Sequence, residues 1–150
     1  MARLEWVIIT ERTIVEAQTG SVSLQSIVET ILLAPPTDEP QEMGKKLLIP
    51  FRFYVNLQVV REDANRPERP QGRALLKGPD GKTYMEIALD VNLETHVRAR
   101  VIGLCMGFPF LGAGEYPIVI QFRSGSRWRT IGRTQFAVAF TPQPPATGVH

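Results

Sequence analysis

From Phe51 to Val59 the sequence reads Phe-Arg-Phe-Tyr-Val-Asn-Leu-Gln-Val, with every odd position apolar and most even positions polar. Successive side chains of an extended strand point to opposite faces, so a period of two dictates one dry face and one wet face. Glu86-Ile87-Ala88-Leu89-Asp90-Val91-Asn92-Leu93-Glu94 repeats the pattern. Ile118, Ile120 and Phe122 share a face opposite Gln121 and Arg123, and Phe136, Val138 and Phe140 form another such face. A sheet with one apolar face must bury it against a second layer, so repeated alternation predicts two packed sheets.

Other segments are apolar on both sides: Leu4 to Ile9, Ser26 to Leu33 and Val101 to Met106. They read as central or covered strands. Leu24 to Leu33 also carries apolar residues at helical spacing, with Ser23 placed to cap. Its β-branched Ile27, Val28, Thr30 and Ile31 favour a strand. Turns are explicit at Ala17 to Gly20, Gly78-Pro79-Asp80-Gly81, Gly112-Ala113-Gly114-Glu115 and Ser124-Gly125-Ser126. About nine strands follow, at spacings of roughly 8 to 15 residues. The expectation is an all-β, antiparallel β-sandwich, immunoglobulin-like, of about seven to nine strands with Greek-key connections. Its core is expected to hold Trp6, Ile8, Phe51, Phe53, Val55, Leu57, Ile87, Leu89, Val91, Ile118, Ile120, Phe122, Phe136 and Val138.

The 150 residues suit one domain, read as 1–141, followed by a Pro-rich flexible tail, 142–150. Ala34 to Gly44 and Glu62 to Gly72 contain several prolines and no periodicity, and read as mobile loops. A lone Cys105 allows neither an intrachain disulfide nor a cysteine-built zinc site. Met1 to Trp6 shows no leader pattern, and no apolar run reaches the length of a membrane span. The reading is a reduced, soluble, cytoplasmic protein. A net charge of +2 is too weak to argue for nucleic acid by itself.

The order of these features resembles an uncharacterised bacterial family, a domain of unknown function found in short, standalone proteins. The residues that carry the likeness are Gly20-Ser21-Val22-Ser23-Leu24, the apolar strand around Leu48 to Leu57, Leu75 to Lys82 through the Gly-Pro-Asp-Gly turn, and Gly114-Glu115-Tyr116-Pro117-Ile118-Val119-Ile120. The resemblance implies a small β-sandwich and no activity.

Candidate chemistry is sparse. A Cys105–His96 nucleophile pair has nothing local to assemble it, and Cys105 reads as a buried, inert thiol among Leu104, Met106 and Phe108. Glu62, Asp63, Asn65 and Asp80 are loop oxygens that match no defined calcium loop. Glu86, Asp90 and Glu94 lie on one wet face, with Arg98 and Arg100 expected as cross-strand mates rather than a hydrolytic pair. No enzyme and no cofactor are expected. Two partner surfaces are expected instead. One is the arginine-rich last hairpin, Arg123, Arg127, Arg129 and Arg133, with Trp128 alternating into the core. The other is an apolar ridge spanning Gly103 to Gly112 and including Phe108, Phe110 and Leu111. The function expected is a non-enzymatic protein-interaction or structural module, with a protein partner or a second copy. The alternative is a ligand-binding sandwich that takes nucleic acid, sugar or lipid on the arginine hairpin.

Overall fold

The alternating segments become strands in a computed structural model that describes residues 1–33 and 48–141. The Ala34 to Gly44 loop and the 142–150 tail lie outside the described residues. Eleven strands are described: β1 (Arg3–Val15), β2 (Val22–Ile27), β3 (Thr30–Leu33), β4 (Leu48–Ile49), β5 (Phe53–Val60), β6 (Gln71–Lys77), β7 (Thr83–Asp90), β8 (Arg98–Cys105), β9 (Phe108–Pro109), β10 (Gly114–Ser124) and β11 (Arg127–Phe140). They form a four-stranded sheet in the order β2-β1-β5-β8, a five-stranded sheet in the order β3-β11-β10-β6-β7, and a small β4-β9 pair. The two large sheets pack face to face. β1 meets β11 on one side, and β7 meets β8 on the other.

The apolar faces read from the sequence are the ones that pack. Phe53, Val55, Leu57 and Val59 project from β5 toward Tyr116, Ile118, Ile120 and Phe122 of β10. Ile87, Leu89, Val91, Phe136 and Val138 are buried as expected, while Phe51 is half-buried at the rim. Trp6 and Ile8 depart from expectation. A register shift between Leu4 and Trp6 inserts one extra residue in β1, which turns Leu4, Val7 and Ile9 inward and leaves Trp6 and Ile8 half-exposed outside.

Ser26 to Leu33 is two strands rather than one. Ser26 takes a positive φ of 57°, and the chain then leaves the four-stranded sheet for the five-stranded one. The crossing is stitched on both sides: the Val28 amide donates to the Ile9 carbonyl at 2.8 Å, and the Ala137 amide to the Glu29 carbonyl at 2.9 Å. Apolarity on both faces of this segment reflects service to two sheets. β3 consequently runs parallel to β11, the one parallel pairing among the described strands. Glu62 to Gly72 is also tied down. Arg61 donates to the carbonyls of Leu93, Ala64 and Glu94 at 2.6–2.8 Å, and Glu68 bridges Leu93.

Two positions control how the four-stranded sheet is covered. On its inner side, Gly103 of β8 admits β7: a Cβ there would lie 2.8 Å from Leu89 and 3.1 Å from Ile87. On its outer side, Asn56 is only 2% exposed because the distal part of β1 folds across it. Its amide donates to the Ile8 carbonyl at 3.0 Å and to Thr10 at 2.9 Å, while Thr13 donates to its carbonyl oxygen at 2.6 Å.

Gly103→Val will cost about 1–3 kcal/mol in urea unfolding by overpacking. Asn56→Ala will cost about 1–3 kcal/mol by stranding these polar partners, and amide exchange will rise most in the β1–β2 hairpin. Wild-type stability in either variant would refute the corresponding account.

Candidate functional site

Cys105 and His96 flank opposite ends of β8, so the strand itself separates them. Cys105 is buried beneath Phe53 and donates to the Gly107 carbonyl at 3.2 Å. Burial pushes its thiol pKa up, against a smaller opposing effect of that hydrogen bond, so the unreactive thiol form is favoured. Native protein at pH 8 will therefore resist iodoacetamide, and labelling will track global unfolding. Alkylation at the rate of a free thiol would contradict this.

The loop carboxylates are engaged locally. Asp63 accepts from the Asn65 amide at 2.9 Å. Asp80 accepts from the Lys82 amide at 3.0 Å and from the Tyr84 hydroxyl, and the tyrosine bond is the main cause that lowers its pKa. Among the described residues no three His, Cys, Asp or Glu side chains gather as metal ligands. The expected wet-face carboxylates, Glu86 and Asp90 of β7 and Glu94 beyond its end, are paired, but not with Arg98 and Arg100. Asp90 meets Arg69 at 3.3 Å, Glu94 meets Arg69 at 4.0 Å and Glu86 meets Arg73 at 3.6 Å. The reason is topological: β7 and β8 are consecutive in sequence but belong to different sheets.

The arginine hairpin does not form one patch. Arg123 stands across from Trp128 and Arg133 across from Val119, whereas Arg129 pairs with the core-facing Phe122 and reaches Met1 at 3.8 Å. Arg127 lies exposed at the turn. Trp128 is not core. It sits half-buried on the outer face of the five-stranded sheet, with the Arg73 guanidinium 4.0 Å from its ring centroid and that of Arg123 at 6.0 Å. Arg73 also donates to Gln121 at 2.9 Å, and Arg123 to Gln71 at 3.3 Å. These groups satisfy one another across three strands.

The later part of the expected ridge, Gly107 to Leu111, is a buried to half-buried return. Phe108 is fully buried, stacked edge-on against Phe53, Tyr116 and Phe136 at 5.1–6.2 Å. Phe110 and Leu111 are half-buried against the same core. The Tyr116 hydroxyl holds this turn by donating to the Gly112 carbonyl at 2.7 Å and accepting from the Leu111 amide at 2.9 Å. Phe108 therefore has no surface to offer a partner.

The first part of the expected ridge, Leu104 and Met106, is exposed, and with Ile102 it forms an apolar row along β8 and just past its end. Ile102, Leu104 and Met106 are 39%, 43% and 64% exposed. Val101 to Met106 was expected as a central or covered strand; instead only the face of Val101 and Cys105 is buried, and that of Ile102 and Leu104 is open. Only pairing with β5 shows that β8 ends the sheet. Toward its start β8 is cationic. Arg98 clamps Glu5 through bonds of 2.9 and 2.8 Å, which holds the Glu5 carboxyl below its usual range, with help from Gln58. Arg100 makes one long bond to Gln58, at 3.4 Å. Beside them runs a groove of about 640 Å³ between the β1–β2 turn and β8, lined by His96, Arg98, Arg100 and Ile102 on one side and by Val15 and Thr19 to Val22 on the other.

No helix among the described residues is long and apolar enough to cross a membrane. No protein-family model matches the sequence, and no curated protein matches it.

Proposed function

We propose that this chain is a non-enzymatic protein-binding module that takes an extended segment of its partner as an added strand on the open edge of β8. The supporting observation is an eight-residue edge that is regular, pairs among the described strands only with β5 and carries exposed Ile102 and Leu104. An unpaired strand edge presents a row of backbone donors and acceptors, and strand addition uses them for affinity while alternate side chains give selectivity.

The other edges are worse templates. β2 is kinked by the positive φ of Ser26, and β3 is four residues long. β7 carries a register shift against β6 and projects Glu86 and Asp90 from its wet face. A ligand site at Trp128 is less favoured, because Arg73 already covers that ring and is itself held by Gln121 and Glu86. Self-association through β8 is also weaker: in the two-fold antiparallel arrangement a second copy sets its Arg98 and Arg100 beside Leu104 and Ile102, so neither cation gains an anion and neither aliphatic side chain gains apolar cover.

Peptides selected from a random display library on the native protein test this reading by hydrogen exchange. Bound peptides will slow exchange across Arg98–Cys105, and Ile102→Lys with Leu104→Lys will abolish binding without loss of fold. Selected binders that protect only other strands would overturn it.

A further inference from the structure

The side-chain pattern along β8 also specifies what kind of strand it accepts; this step rests on the strand-addition reading above. The outward residues, in order, are Arg98, Arg100, Ile102 and Leu104. Two cations are followed by two exposed aliphatic side chains, all on one face at alternate positions. An added strand places its own alternate residues beside these, on the same face. The groove next to Arg98 and Arg100 is also lined by His96, Asn92, Thr95 and Ser21, and among the described residues no carboxylate lines it. Among the described residues Glu5 is the one acid bound to these cations, and it occupies Arg98 while Arg100 keeps only a long bond to a neutral amide. The cationic half of the edge therefore lacks a matching anion at Arg100, and the aliphatic half lacks cover.

We infer that the partner segment is an extended acidic–apolar peptide, with two apolar residues at alternate positions beside Ile102 and Leu104 and acidic residues at the next two alternate positions, beside Arg100 and Arg98. In the antiparallel orientation its sequence order is apolar, any, apolar, any, acidic, any, acidic. The acid beside Arg100 meets an under-used guanidinium. The acid beside Arg98 competes with Glu5 for the same one.

The experiment uses the full chain and three fluorescein-labelled synthetic peptides of this pattern: one with glutamates, one with glutamines in their place, and one with lysines. Anisotropy titrations at low salt will show the glutamate peptide binding roughly three- to tenfold more tightly than the glutamine peptide, the range two exposed ion pairs support. The lysine peptide will bind more weakly than both. The preference for glutamate will shrink in about 0.5 M salt, where screening is strong. Arg100→Gln will remove most of it, and Glu5→Gln will raise affinity for the glutamate peptide while leaving the glutamine peptide unchanged. Equal binding of the glutamate and glutamine peptides, with protection of Arg98–Cys105, would overturn the acidic assignment and leave strand addition standing. Failure of all three peptides to bind, together with library binders that protect only other strands, would overturn both.

Discussion

Four aromatic rings join the three sheets into one body. Phe53 comes from the four-stranded sheet, Tyr116 and Phe136 from the five-stranded sheet, and Phe108 from the small pair. Tyr116 and Phe136 stack 5.4 Å apart and nearly parallel, whereas Phe53 and Phe108 meet them edge-on at 5.1–5.5 Å. Edge-to-face and offset contacts suit the ring quadrupole and add to the burial of large apolar area. The Tyr116 hydroxyl extends the cluster outward by fixing the turn at Leu111 and Gly112. The return segment Gly107 to Leu111 is thereby held against the core, and the exposed apolar row along β8 ends at Met106, just past the strand.

The layer architecture was legible because alternation is a local signal. Phe53, Val55 and Leu57, or Ile118, Ile120 and Phe122, need no distant information to declare a buried face. Phase failed in β1, where an extra residue at the Leu4/Trp6 shift moved Trp6 and Ile8 outward. A bulge depends on the partner strand, and residues 1 to 9 alone contain nothing that marks it. Sheet membership failed for the same kind of reason. Ser26 to Leu33 looks like one covered strand until the crossing at Val28 and Glu29 is seen. The expected pairing of Arg98 and Arg100 with the β7 carboxylates assumed that neighbours in sequence are neighbours in a sheet.

The candidate site was half legible. Arg98 and Arg100 were visible as wet-face residues, but Val101 to Met106 read as a central or covered strand, whereas β8 ends its sheet among the described strands with Ile102 and Leu104 exposed; an edge is a property of the whole sheet and of no single strand. Of the two expected partner surfaces, Trp128 and Phe108 are committed to the fold, whereas Arg127 stays exposed at its turn and Leu104 of the expected ridge belongs to the open face of β8. Trp128 serves a cross-strand stack with Arg73, a residue more than fifty positions away. Phe108 sits where an apolar, glycine-punctuated segment has the most to gain, in the middle of the aromatic cluster.

The parallel pairing of Thr30–Leu33 with Ala137–Phe140 joins segments more than a hundred residues apart. Closing so long a loop is entropically costly, so contacts of this separation reward a folding chain late. During synthesis the five-stranded sheet cannot be finished until Phe140 has left the ribosome, although β1, β2 and β5 can pair much earlier. In that interval β3 waits without its neighbour, and Ile31 and Leu33 stand uncovered. A nascent chain of this kind is exposed to misassociation from the emergence of β3 to that of β11, and completion of β11 is what ends that risk.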